Sequence, residues 1–177
     1  MKLKIENVRL SFPSLFRRAV FNGEEGKFGA TFLLSKTDHA EVIKKIRSGI
    51  AEVVKDRLKG SKLGPDKVCL RNGDDSQYDG YAGCESLKAS NSTRPIVLNR
   101  DRSPLTADDG VVYAGCYVNA IIELWGQDNQ FGKRVNANLL GVQFVRDGEP
   151  FGDGGRAASQ DDFDVVKDDG PEPWESP

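Results

Sequence analysis

Histidine and methionine are nearly absent from the 177 residues, which hold one of each, and there are only two tryptophans. The single imidazole, His39, opens a predicted helix, so a Ser/His/Asp or Cys/His system has a poor candidate base. Cysteine is scarce and odd in number (Cys69, Cys84 and Cys116), with no Cys-x-x-Cys pair. That excludes a disulfide framework and reads as free thiols in a reducing compartment. A zinc site would have to recruit His39, and no ligand pair has short chelating spacing, so no metal and no cofactor is expected. Long apolar runs are missing, whereas a bilayer span needs ~20 residues. The opening Met1-Lys-Leu-Lys-Ile-Glu6 is no secretory signal, and the expectation is a soluble protein that stays where it is made. No Walker loop, nucleophile elbow or dinucleotide fingerprint occurs, and Gly152-Asp-Gly-Gly155 reads as a linker.

Neither sign of charge dominates the total, 25 bases against 27 acids, but the two are unevenly distributed. From Ala158 to Pro177 seven acids face Lys167 alone, a net −6, which leaves residues 1–157 at +4. A mildly basic body with an acidic end points to a polyanion partner. The acidic stretch also carries Pro171 and Pro173 and has too little apolar surface to offset chain entropy. The expected division is one folded domain over 1–157 and a disordered acidic tail over 158–177. A chain of this length can bury roughly 70% of its unfolded surface without covalent staples.

The body reads as mainly β with one helix. Leu3, Ile5, Val8 and Leu10 alternate imperfectly in a strand ending near Phe12-Pro13, and residues 14–26 read as a long loop. Lys27–Leu34 is a second strand. Residues 38–58 form the helix, with Ile43, Ile46, Ile50, Val53, Val54 and Leu58 in one apolar stripe. Asp38 is its expected cap, with Glu41 completing a capping box. Lys44, Lys45, Arg47 and Lys55 populate the helix's polar faces, which read as solvated. Residues 60–84 are loop-rich. Strands are expected over 86–90, 95–99, 112–125 and 135–146, the last two joined by a loop from Gly126 to Gly132. In the 112–125 strand Cys116, Val118, Ala120, Ile122 and Leu124 share one face. Many short strands with one helix imply a small β-barrel or sandwich.

Two carboxylate pairs, Asp74-Asp75 and Asp108-Asp109, could hold the cations of a metal-dependent nuclease or junction-processing enzyme. Both lie in Gly-rich turns, where Asp is favoured because it bonds nearby backbone, so the enzyme reading is the weaker one. Cations mixed with aromatics are better represented. Arg71, Tyr78, Tyr81, Lys88, Arg94, Arg100 and Arg102 spread across 71–102, and Phe131, Lys133 and Arg134 repeat the mixture near a hairpin tip. Single-stranded nucleic acid needs both, since phosphates demand cations and unstacked bases demand flat apolar faces. A third reading makes the acidic tail the functional element, with the barrel as carrier of a protein adaptor.

Several segments resemble one family: Tyr78-Asp-Gly-Tyr-Ala-Gly83, Arg94-Pro-Ile-Val97, Asn99-Arg-Asp-Arg102, Tyr113–Ala120, Trp125-Gly-Gln-Asp-Asn129, Phe131–Ala137 and Leu140–Gly148. It is the bacteriophage single-stranded DNA-binding proteins, typified by an Enterobacter phage protein. The likeness runs over about 1–152 and is most specific over 113–148. It implies an OB-fold five-stranded barrel, without catalytic residues, that coats single-stranded DNA in phage replication and recombination in the cytoplasm of an infected bacterial host. Duplex DNA would be bound more weakly. Tyr78, Tyr81 and Phe131 are then the stacking candidates. Lys27, Arg71, Lys88, Arg94, Arg100, Arg102, Lys133 and Arg134 are the phosphate contacts, while Trp125, on the same face as Glu123, could equally cap the barrel core. Asp161, Asp162, Phe163, Asp164, Asp168, Asp169 and Trp174 would compete with DNA and recruit replication or recombination proteins. The chain end, Pro-Glu-Pro-Trp-Glu-Ser-Pro, departs from the Ile-Pro-Phe ending of bacterial single-strand binders.

Overall fold

The computed structural model describes residues 2–152 and 163–166. The main strands are β1 (Lys2–Ser14), β4 (Phe28–Ser35), β6 (Cys84–Asn91), β8 (Tyr117–Asn129) and β9 (Gly132–Arg146). Short strands β2 (Val20–Phe21), β3 (Glu24–Glu25), β5 (Leu70–Asn72) and β7 (Ile96–Leu98) and one helix, α1 (Ala40–Arg57), complete the elements used below.

The sheet order is β5-β6-β4-β1-β8-β9-β7, and an additional β6–β9 pairing closes it. Closure is parallel, with Ser90 opposite Asn138. Beside it the Asn91 side-chain amide donates to the Leu139 carbonyl at 3.1 Å. The ring β6-β4-β1-β8-β9 is therefore a closed five-stranded barrel with β5 and β7 added outside it. That is the OB-fold architecture expected.

Alternation builds the core. Val118, Ala120, Ile122 and Leu124 of β8 point inward with Cys116 just before them, as their spacing predicts. Ile5, Leu10, Phe32, Leu87 and Leu139 join them with no exposed surface. Each large apolar side chain so buried contributes about 1.5–3 kcal/mol. Ile43, Ile46 and Leu58 bring the stripe of α1 against this barrel. Burial pushes the Cys69 and Cys116 thiols up to about 11, so both stay protonated and inert at neutral pH. No helix of the described residues is long and apolar enough to cross a membrane.

Four local expectations are corrected. The helix starts at Ala40, with His39 at the cap position and no side-chain hydrogen bond from it to the first turn, so the Asp38–Glu41 capping box is not what begins it. A turn closed by His39 N–H to the Ser35 carbonyl leads in instead. Nδ1 of His39 accepts from the Ser35 amide at 2.9 Å, and Nε2 faces the Glu6 and Asn7 carbonyls at 3.1 Å. Both ring nitrogens are thus used by the backbone. Residues 14–26 are not all loop, because β2 and β3 form a two-stranded ribbon outside the barrel. Residues 112–116 are not strand, because Gly115, at φ +111, turns the chain before β8. The β8–β9 connection is only Gln130 and Phe131, since pairing continues to Asn129 opposite Gly132. The tail assignments Asp161, Asp162, Asp168, Asp169 and Trp174, and the expected disorder of 158–177, lie outside the described residues. Phe163 and Asp164 are described and exposed.

Candidate nucleic-acid interface

A groove of about 1110 Å³ runs across the β1–β4–β6–β5 side of the barrel. Its floor is set by strand registers. Thr31 lies opposite Lys88, Gly29 opposite Ser90, and Arg71 opposite Ser86. Apart from Lys88 and Arg71, this floor is small or hydroxylated. A side chain at position 29 has no room, since its Cβ would stand 2.7 Å from the Ala89 carbonyl oxygen. A shallow floor of this kind lets a flat ring approach the backbone.

The walls are aromatic. Six large apolar side chains of residues 2–152 are exposed, and four of them (Phe12, Val20, Phe21 and Tyr78) line this groove. Concentrated exposed apolar surface marks an interaction site. Phe12 reaches it through a break in alternation. Strand period alone would put it on the face of Leu10, in the core. Its left-handed backbone (φ +46) and the register shift between Ser11 and Ser14 turn the ring outward instead. It then meets Tyr78 edge-on, with ring centroids 4.9 Å apart. Phe21 projects from the β2–β3 ribbon and is 68% exposed.

The loop carrying Tyr78 is braced from below. Asp74 accepts from the Gly83 amide at 2.7 Å and pairs with Lys36 at 2.6 Å. The Gly83 amide and then Lys36 hold its carboxyl below the usual carboxylate range. Asp109 bonds the Thr106 amide and hydroxyl in a capping box. Asp74 and Asp109 thus serve the turns that hold them, which is the role turn chemistry predicts for acids there.

The predicted contacts divide. Lys27, Arg71, Tyr78, Tyr81 and Lys88 all line the groove. Arg71 is held there by the Asp66 carbonyl at 3.0 Å. Tyr81 offers no open stacking face and is corrected in that respect. It is 5% exposed, and its hydroxyl shares a 2.7 Å hydrogen bond with buried Ser11. Its ring backs that of Tyr78 at 5.4 Å. Arg94 stands at one end of the groove, over the Phe28 ring. Arg100 lies elsewhere, over Phe144 beside β9, and Arg102 occupies the tight turn after Asn99. Phe131 is exposed at the β8–β9 tip, Lys133 donates to Ser61, and Arg134 reaches only the Asp66 carbonyl at 3.4 Å. None of these last five lines the groove, although Arg134 comes to its rim, since Asp66, whose carbonyl it shares with Arg71, does line it. Trp125 is half-buried in an outer crevice between α1 and β8. Sequence reasoning missed Phe12, Phe21, Phe28 and Arg18. The one available signal was Pro13, which inside a strand marks an edge or bulge.

Comparison with known proteins gives a consistent set. A family model described as Enterobacter phage Enc34, ssDNA-binding protein, matches residues 1–172. The protein p50 of Acyrthosiphon pisum secondary endosymbiont phage 1 is 45% identical over 174 residues, 93% of each chain. The single-stranded DNA-binding protein of bacteriophage Enc34, solved in complex with ssDNA, is 34% identical with a TM-score of 0.77, covering 85% of this chain and 89% of its own. The single-stranded DNA-binding protein gp2.5 of bacteriophage T7 superposes with a TM-score of 0.50 over 86% of this chain and 95% of its own. At 11% identity that likeness bears on fold alone.

Proposed function

Because the chain belongs to the Enterobacter phage Enc34 ssDNA-binding protein family, we propose that it binds single-stranded DNA along the β1–β4–β6–β5 groove without reading sequence. The observation that carries this reading is the gathering of exposed Phe12, Phe21 and Tyr78 beside Lys27, Arg71 and Lys88 over a small-residue floor. Bases stack on the rings and phosphates meet the cations. Tyr81 acts beneath Tyr78 as a positioning residue. The chain carries out no catalysis in this reading. It coats single strands during phage replication and recombination in the cytoplasm of the infected host, and binds duplex DNA more weakly.

A titration of single- and double-stranded oligonucleotides of increasing length at several salt concentrations tests this. Single strands are expected to bind more tightly and to be recovered intact after incubation with Mg²⁺. Replacing Lys27, Arg71 and Lys88 together by Ala is expected to lower the salt slope by about 2, at ~0.7 per phosphate contact. An unchanged slope removes the groove from the site.

The acidic segment 158–177 competes for the same cations. Support comes from where the chain leaves the barrel. Phe151 stacks against the Arg9 guanidinium at 3.9 Å and against Gly80, two residues beyond Tyr78. The described body therefore ends at Gly152 close to the loop that carries Tyr78, and a short flexible tether from there gives millimolar effective concentration. Phe163 and Trp174 give a replication or recombination partner two apolar anchors. Deleting 158–177 is expected to tighten single-strand binding at low salt, the gain shrinking as salt screens the competition. Equal affinities at low ionic strength exclude competition.

A further inference from the structure

The end of the groove away from Tyr78 holds two guanidiniums on one ring. Phe28, buried at the start of β4 and part of the groove lining, has Arg18 4.9 Å and Arg94 5.8 Å from its centroid. The two arginines come from segments far apart in the chain, and each ties itself to the other's segment. Arg18 donates to the Ser92 carbonyl at 2.7 Å, and Arg94 donates to the Phe16 carbonyl at 3.1 Å. Both heads are exposed, and neither is in an ion pair among the described residues.

Two guanidiniums held on one ring without a carboxylate partner both attract an anion that reaches this end of the groove. A guanidinium has five N–H donors in a planar fork, and here one or two are used. The remaining donors suit the oxygens of a phosphate, which the planar fork can meet in pairs. The cation–π contacts with Phe28 and the carbonyl bonds hold the two side chains beforehand, so less side-chain entropy is left to lose on binding.

We propose that Arg18 and Arg94, seated on Phe28, form a preformed phosphate site that anchors the DNA backbone at this end of the groove. The proposal rests on the groove reading above and adds an asymmetry to it. Bases are gripped at the Phe12–Tyr78 end and a phosphate is gripped at the Phe28 end, so a strand is held at two chemically different points. Arg18 is the new contact, and it has a second consequence. Through its carbonyl partners it ties the segment leading into the β2–β3 ribbon to the β6–β7 turn, joining the groove's walls at the point where the phosphate sits.

The test compares Arg18→Gln and Arg94→Gln, singly and together, with the charge-retaining pair Arg18→Lys/Arg94→Lys, in the full chain. Thermal unfolding serves as the control for folding. Each Gln is expected to lower the single-strand salt slope by ~0.7. The double Gln variant is expected to lose about tenfold or more in affinity, the scale of a hydrogen bond to a charged group. The Lys pair keeps the slope but loses affinity, because a point charge neither stacks flat nor presents paired donors. A purely structural staple would move melting temperature and leave the slope alone, and that result overturns the proposal. So does an unchanged slope in the Lys27/Arg71/Lys88-intact double Gln protein while the groove triple variant still lowers it.

An independent arm uses inorganic phosphate and the arginine Nε–H resonances of the wild-type protein. Arg18 and Arg94 are expected to shift together, while Arg57 on α1 does not. If the wild type binds no single strands, the groove reading fails, and the phosphate titration still decides the clamp: no shift overturns it.

Discussion

Replacing Phe12 and Tyr78 together by Ala is expected to weaken single-strand binding by about 2–5 kcal/mol, from ~1–3 per stacked base. At 1.4 kcal/mol per tenfold change in affinity, this is the largest binding effect of any pair in the groove. The two rings do not act independently. They touch edge-to-face at 4.9 Å, and such contacts contribute ~0.5–1.5 kcal/mol beyond the area they bury. Either single substitution removes that contact along with its own base stack. The double variant therefore loses less than the sum of the singles, and the shortfall measures how far one ring orients the other. Folding should change little, because Phe12 is 59% and Tyr78 54% exposed. Oligonucleotide titration of the two singles and the double, with urea unfolding beside it, gives the whole cycle. Wild-type affinity in the double variant would move the bases off this wall.

How legible such a wall was beforehand is clear from Phe12. Its neighbours Leu10 and Ser11 are both buried, so the period-2 pattern has already failed one residue earlier. A bulge is a one-residue event set by pairing with β4, and a strand's own residues say little about its partner's register. The inward face of β8, by contrast, is written in its own alternation, and the stripe of α1 in three- and four-residue steps. Both are local periodicities, and both emerged as read. Barrel closure was not local. It depends on Ser90 meeting Asn138, forty-eight positions apart and paired over one residue; strand count left barrel or sandwich open, and the family resemblance pointed to the barrel.

The cations divide for the same reason. Lys88 and Arg71 lie on neighbouring strands whose register puts them over one groove. Arg100, Arg102 and Lys133 have the same residue chemistry but belong to turns and strands that do not line it, and Arg134 reaches only its rim at the Asp66 carbonyl. Composition predicts what a binding surface contains. Which of the many candidates share a surface is decided by strand order, and strand order was the part least readable from one sequence.

The loop that carries Tyr78 supplies the largest coupled effect on stability and binding. Gly73 sits beneath it with no space for a side chain: an added Cβ would lie 2.2 Å from the Tyr81 carbonyl oxygen and 2.5 Å from that of Cys84. These are backbone atoms and cannot rotate away. Gly73→Val must push the 78–84 segment outward, and with it the Tyr78 ring, the Ser11–Tyr81 hydrogen bond and the Asp74 brace to the Gly83 amide. Overpacking of this kind costs about 1–3 kcal/mol. Loss of a hydrogen bond that leaves Ser11 buried and unpaired adds ~1–3 kcal/mol more. Urea unfolding is expected to report a destabilisation of that combined size. Single-strand affinity of the folded fraction should fall by up to as much as in Tyr78→Ala, because the ring is pushed away from its place in the groove. Gly83, in the same loop, is the matched comparison. It has nothing within 4 Å of its missing Cβ, but its φ is +77. Gly83→Ala therefore meets only backbone strain, about 1–2 kcal/mol for an L-residue in that conformation, and the Tyr78 ring stays at the groove. Stability should drop in both variants, and DNA affinity only in Gly73→Val. Equal affinities in the two would mean that the ring's position does not depend on the loop packing beneath it.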